Sequence, residues 1–534
     1  FKSIKNMIIK EADNFNKGTI TFEEVTDDNI DITDERIDKA IDDVFINDTG
    51  FIEIEDYTLD LVSEIEVNDD TTEDVYLKWS DEYKEAREFL FGTDDIVQDL
   101  ERAFEMFVLE AKNGNALAMF DIGRMFADGL GREIDVSKAY EWYHKALAAF
   151  YKVEDKKPWK YTEYRIGKMQ LQGLGTEESY EEAFYWFTLS ADQKYKIAEY
   201  SLGGLYYRGQ GVEQSYIKAF NLYLRSAKQG FPYADFEVAK MYNDGVGTYK
   251  NEKESNKYFH SAFIGFEKLE RQSHDDKIQY RLGWMLQNGI GTEKDIGEAK
   301  IYYEKSAKLG NTFACYSLAK LILAEENPSR EEIKRAIEYL KQASENGNQF
   351  AQYSHGKVYL NGNFIEKDIY KAVELFELSS EQGNEYAAYQ LGKLYLKGED
   401  IPKDIPSSVK WLLLSAEKGN QYAQYLLGKI YLMGEGLPKD KDAAIKWFTL
   451  SAEQGNEYAK FFLENMDKFH NPSVSLAVSK MFHHMSKTFE DNVPLRSSGV
   501  GIKIDSKLMR KLREKKMAQG HKKDDHEQEQ NIEL

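Results

Sequence analysis

A six-residue pattern returns nine times in this chain at a nearly fixed interval, and this periodicity constrains the fold more than any other feature. Ala198-Glu-Tyr-Ser-Leu-Gly203, Ala387-Ala-Tyr-Gln-Leu-Gly392 and Ala423-Gln-Tyr-Leu-Leu-Gly428 show it most clearly. Its last residue falls at Gly123, Gly167, Gly203, Ala239, Gly283, Ala319, Gly356, Gly392 and Gly428, in steps of 44, 36, 36, 44, 36, 37, 36 and 36. The two long steps cover the inserted stretches 152–160 and 267–276. A period of this size means stacked supersecondary units, each burying its apolar face on its neighbours.

Each unit reads as two helices. The first carries Ala at −5, an aromatic ring at −3 and Gly or Ala at 0, counting from the last residue of the pattern. Gly costs ~1 kcal/mol in a helix interior relative to Ala. Its recurrence therefore points to close contact with another helix, with rings filling the space beside it. Glycines at +6, such as Gly129, Gly173 and Gly434, mark the turn, and many units add a second at +8. They suit a helix C-cap. The sixth unit has neither and places Asn327-Pro328-Ser329 there. The second helix opens near +16 with a small residue, followed three later by a ring or a large apolar residue, as in Ala183/Trp186 and Ala444/Trp447. Ala416-Glu-Lys-Gly-Asn420 closes one unit and opens the next.

These motifs together resemble the Sel-one-like repeat, a relative of the tetratricopeptide repeat. The resemblance covers roughly residues 95–465. It implies an all-α, right-handed α-solenoid that binds other proteins or peptides along a concave surface of first helices. It departs from the family pattern in the sixth unit and around Ser255, where the usual Lys-Ala is lost.

Composition agrees. The 8 prolines among 534 residues, against an average of ~5%, favour helices with short turns. The single cysteine, Cys315, excludes an intramolecular disulfide framework and a cysteine-based zinc site, and it fits a cytoplasmic protein. No apolar run approaches the ~18–20 residues a membrane span needs, and no signal-peptide pattern opens the chain. The first residue is Phe1 rather than Met, which reads as a fragment or a processed chain.

The ends differ from the middle. The formal charge is −23, yet residues 1–75 alone hold 23 acidic and 6 basic side chains, a net of −17. This segment reads as an acidic linker, partly disordered, or as an arm that meets a basic partner. Within it, Phe51-Ile-Glu-Ile-Glu55 has the alternation of a strand. Residues 76–116 read as N-terminal capping helices, with 95–115 as a lone second helix. Residues 117–465 hold the nine repeats, closed by a first helix from Ala459 that lacks a partner. Residues 466–534 read as C-terminal helices and a polar tail. Lys507, Arg510, Lys511, Arg513, Lys515 and Lys516 make a short basic helix there, a place for DNA or an acidic surface to make contact. Lys511-Leu-Arg-Glu-Lys-Lys-Met-Ala-Gln-Gly520 and Asp524-Asp-His-Glu527, with the repeat block, are similar to the C-terminal region of mobilisation relaxases from conjugative elements. That resemblance implies an accessory region whose DNA-nicking domain is absent from this chain.

Catalytic signals do not accumulate. The Gly-x-Gly pairs follow helices rather than strands and never continue into a dinucleotide or P-loop fingerprint. The nine histidines do not gather, no His-x-His occurs, and Cys315 has no His-Asp pattern around it. The sequence therefore predicts no catalytic, cofactor or metal site, and its function reads as a non-enzymatic scaffold. By the family resemblance, Gln352, Glu385, Gln421, Tyr422 and Gln424, on or beside the later first helices, are candidates for exposed polar positions facing a partner.

Overall fold

The chemistry of the unit's ends starts and stops its helices. Asn115, Asn311, Asn348, Asn384 and Asn420 precede first helices, and each side chain accepts a hydrogen bond from a first-turn N–H. Asp135, Asp295, Asp368, Asp404 and Asp440 do the same for second helices. Such a cap is worth ~1 kcal/mol, so helix starts are set at the same register in unit after unit.

The structure is a computed structural model and describes residues 80–465 except 93–95, 274 and 326. Among those residues there are 21 helices and no strand. They follow as ten hairpins. The first is α1 (Asp81–Phe91) with α2 (Leu100–Lys112), then α3 (Ala116–Asp128) with α4 (Val136–Lys156), and α5 (Lys160–Gln172) with α6 (Tyr180–Asp192). Next come α7 (Lys196–Arg208) with α8 (Tyr216–Lys228), α9 (Pro232–Asp244) with α10 (Glu252–Ser273), and α11 (Asp276–Asn288) with α12 (Ile296–Lys308). The last four are α13 (Thr312–Leu323) with α14 (Arg330–Glu345), α15 (Gln349–Asn361) with α16 (Ile369–Glu381), α17 (Glu385–Lys397) with α18 (Ile405–Glu417), and α19 (Gln421–Met433) with α20 (Lys441–Glu453). Each helix packs on its hairpin partner and on the helix of the adjacent hairpin, which makes an α-solenoid. The hairpins through Gln454 form one compact unit. Helix α21 (Glu457–Asn465) belongs to the other unit and opens on Asn456, whose side chain caps the N–H groups of Tyr458 and Ala459.

The two eight-residue insertions lengthen second helices instead of looping out. Helices α4 and α10 have 21 and 22 residues, where α6, α8 and α12 have 13. The junctions after α4 and α10 are the least closely packed in the array. The sixth repeat replaces its glycine turn with a capping box: Ser329 accepts from the Glu332 N–H while Glu332 accepts from the Ser329 N–H. At Ser255 the lost alanine is answered by a buried serine whose hydroxyl donates to the Ala239 carbonyl at 2.9 Å. Helix α2 is not a lone second helix, because α1 packs against it as a hairpin partner. Phe51–Glu55 lies outside the described residues.

Candidate interaction surface

The recurring glycine at 0 is shaped by a ring from the second helix of its own hairpin. A Cβ on Gly123 would lie 2.7 Å from the Tyr143 ring, on Gly167 2.7 Å from Phe187, and on Gly428 2.7 Å from Phe448. These rings sit at +20, one residue beyond the large residue singled out in the sequence. The turn glycines serve two purposes. Gly173 is a left-handed C-cap at φ +65. Gly175, at φ +71, lets the turn press on the preceding hairpin, since a Cβ there would meet the His144 backbone N at 2.2 Å. The Gly-x-Gly segments are thus filled by protein backbone.

Two side-chain devices recur across the hairpins at a separation of 30 residues. In the first, a fully buried serine near the end of the second helix donates to the first carbonyl of the first helix. Ser226 reaches Lys196 O at 2.6 Å, Ser306 reaches Asp276 O at 2.7 Å, and Ser451 reaches Gln421 O at 2.6 Å. In the second, a glutamine just past the second helix donates to the side chain at −4 of the first helix. Gln193 reaches Glu163 and Gln229 reaches Glu199, both at 2.7 Å; Gln382 reaches Gln352 and Gln454 reaches Gln424, both at 2.8 Å. The signal for the first device was present in the sequence, as the serine directly before the alanine of the unit's closing motif.

This second device corrects the expectation of exposure for three candidates. Gln352, Gln421 and Gln424 are buried. Gln352 and Gln424 also donate back to the preceding hairpin, to Ser344 O at 3.2 Å and Ala416 O at 3.0 Å. They hold hairpins together, because a buried amide must find both donor and acceptor partners. Glu385 and Tyr422 are half-buried at the starts of α17 and α19. Burial raises the Glu385 carboxyl, opposed by its own backbone N–H and the nearby Lys418. The Tyr422 ring lies 6.2 Å from that of Tyr389.

The first helices present a further register that the sequence reading passed over. A basic residue directly follows the small residue at 0 in most units: Lys168, Lys240, Lys320, Lys357, Lys393 and Lys429. All six are half-buried. Positions −6, −2, +1 and +5 share one face of an α-helix, so this lysine lies in line with the −6 ring, Tyr386 in α17 and Tyr422 in α19.

Reactive groups are muted. Burial pushes the Cys315 thiol up to about 11, and burial with Lys341 and Lys371 nearby pulls His355 down to about 4. Among the described residues no group of three or more His, Cys, Asp or Glu is placed to hold a metal ion. No described helix is long and apolar enough to cross a membrane. The basic stretch from Lys507 to Lys516 and the segments that carry the likeness to relaxases lie outside the described residues.

The model of the Sel1 repeat matches ten segments: 83–115, 116–149, 161–195, 196–231, 232–263, 278–311, 312–348, 349–384, 385–420 and 421–456. The chain is similar to a protective antigen of uropathogenic Escherichia coli displaying an SLR fold, at 22% identity over 83% of this chain and 99% of that one, with a TM-score of 0.37. It is similar to a Sel1 repeat protein from Oxalobacter formigenes, at 27% identity over 48% of this chain and 99% of that one, TM-score 0.38. An immunity protein from Pseudomonas aeruginosa matches at 20% identity over 48% and 81%, TM-score 0.27. No curated protein matches the chain.

Proposed function

The chain belongs to the Sel1 repeat family, and on that premise we propose that it is a non-enzymatic scaffold that holds a protein partner along the exposed face of its first helices. One observation carries this reading: an array of hairpins in which buried polar side chains brace neighbours while one face of every first helix keeps the same register. Repeat arrays bind by extended surfaces built from equivalent positions of successive units. Many modest contacts along such a face give affinity with no reactive centre. Tyr422 and Glu385 stay candidates for that face. Gln352, Gln421 and Gln424 serve it indirectly, by fixing the spacing between units.

Affinity capture from the native organism tests the reading. Serine substitutions at Phe313, Tyr386 and Tyr422, on the first helices, should release the captured partner. Serine at Tyr249 and Tyr370, exposed outside the first helices, should leave it bound. A partner that survives the first set and leaves with the second would place binding elsewhere.

A further inference from the structure

The face proposed above changes its charge pattern along the array. In α3 and α9 the basic residue at +1 is neutralised within its own helix: Arg124 pairs with Asp121 at 2.9 Å, and Lys240 with Glu237 at 3.3 Å. Gly204 and Trp284 interrupt the register in α7 and α11. From α13 onward it is unbroken. Lys320, Lys357, Lys393 and Lys429 stand in four successive first helices, and the −2 positions hold Ser317, Ser354, Gln390 and Leu426 in place of a carboxylate. The four helices together contain one acidic residue, Glu385. A basic line therefore runs through a chain whose formal charge is −23.

Resting on the scaffold reading, we propose that the first-helix face of residues 312–433 takes an extended acidic peptide, with Lys320, Lys357, Lys393 and Lys429 each meeting one of its carboxylates. The occupant's charge follows from complementarity, because an amine at a half-buried position attracts a carboxylate more strongly than one in open solvent. Its spacing follows from geometry. Packed helices stand on the order of 10 Å apart, and extended chain covers ~3.3 Å per residue. One carboxylate at about every third residue would match one lysine per hairpin. Aromatic rings at −6, such as Tyr386 and Tyr422, flank the line and offer apolar surface to the residues between.

The probe is a fluorescein-labelled peptide of roughly twelve residues with glutamate at every third position, matched to four hairpins at ~3.3 Å per residue. Anisotropy is measured with the full chain. Binding should weaken about tenfold when all four lysines become glutamine, should return with arginine at the same positions, and should fade as salt rises. K168Q/K240Q should leave it unchanged. Circular dichroism of the glutamine variant reports whether it folds, and the arginine variant keeps the test open if it does not. No binding of the glutamate peptide would overturn the proposal. So would equal binding of its glutamine counterpart, or equally tight binding of single-stranded DNA. A native partner still captured by the quadruple glutamine variant would end the acidic-peptide inference while leaving the scaffold reading standing. Loss of that partner only with the tyrosine and phenylalanine substitutions would say the same.

Discussion

Residues 161–231 and residues 349–456 build the same brace from different chemistry. In the later hairpins, Gln352 and Gln424 accept from the glutamine past the second helix and donate to a carbonyl of the preceding hairpin. In the earlier hairpins that position holds Glu163 and Glu199, and an ionised carboxylate has no proton to donate. Each finds its own remedy. Arg225 donates to Ala191 O at 3.2 Å, the carbonyl equivalent to Ala416 O, and pairs with Glu199 at 2.5 Å. Glu163 faces Glu154 from the extended α4, and burial with that neighbouring charge pushes its carboxyl up to about 7. The second insertion repeats the arrangement with an amide, since Gln279 donates to Glu270 at 3.1 Å. The geometry of the array demands a donor at this point, and three kinds of group supply it.

The largest expected effect comes from removing the borrowed donor. Arg225→Met leaves the buried Glu199 carboxylate and the Ala191 carbonyl without their cation, and should cost about 2–3 kcal/mol. Adding Glu199→Gln should recover most of that loss by converting the early brace to the later kind. Hydrogen exchange in α7 and α8 reads both, and a double variant no better than the single would dissolve the equivalence.

The reverse exchange should cost somewhat less. Gln424→Glu points a carboxylate at Ala416 O, with Leu450 where Arg225 would stand. A loss of about 1–3 kcal/mol at neutral pH is expected, shrinking in acid as the new carboxyl takes a proton. Exchange rates in α19 measured against pH would show it.

Glu163→Gln goes the other way. Folded Glu163 holds its proton to a higher pH than the unfolded chain does. Its contribution therefore favours the fold below the ordinary carboxylate value and is lost as pH rises toward about 7. The glutamine variant should be more stable by roughly 1–2 kcal/mol at pH 8, with little difference in acid. Urea unfolding of both proteins across that range would detect a parallel pH dependence, which is the outcome that contradicts this account.

The smallest effect should be alike in both regions. Ser226→Ala and Ser451→Ala each remove one hydroxyl-to-carbonyl bond, worth ~1 kcal/mol. Local exchange should report equal losses, since this clamp does not differ between early and late hairpins.

The hairpins were legible because their signals are local and repeated. The Asn and Asp caps, the turn glycines and the small residues at 0 each act within a few residues of chain. The first helix Asp81–Phe91 was harder to see, because the Ala-x-x-x-Leu-Gly pattern is missing there. The candidate surface was legible only in part. Tyr422 and Glu385 lie on first helices as expected, while Gln352 and Gln424 read as partner-facing and are braces. A polar residue on a helix gives no sign of whether solvent or a neighbouring hairpin will meet it.

What the amino-acid order settled by itself was the unit: two helices, where they start, where they turn, and that they stack. Those properties depend on periodicity and on contacts within one turn of helix. Which polar groups are buried, which ring fills each glycine's notch, and how Glu163, Glu199 and Gln424 come to solve one problem were decided by the packing of hairpin on hairpin. Each of those outcomes joins groups some 30 residues apart in the chain, and only the assembled array fixes their distance and their separation from water.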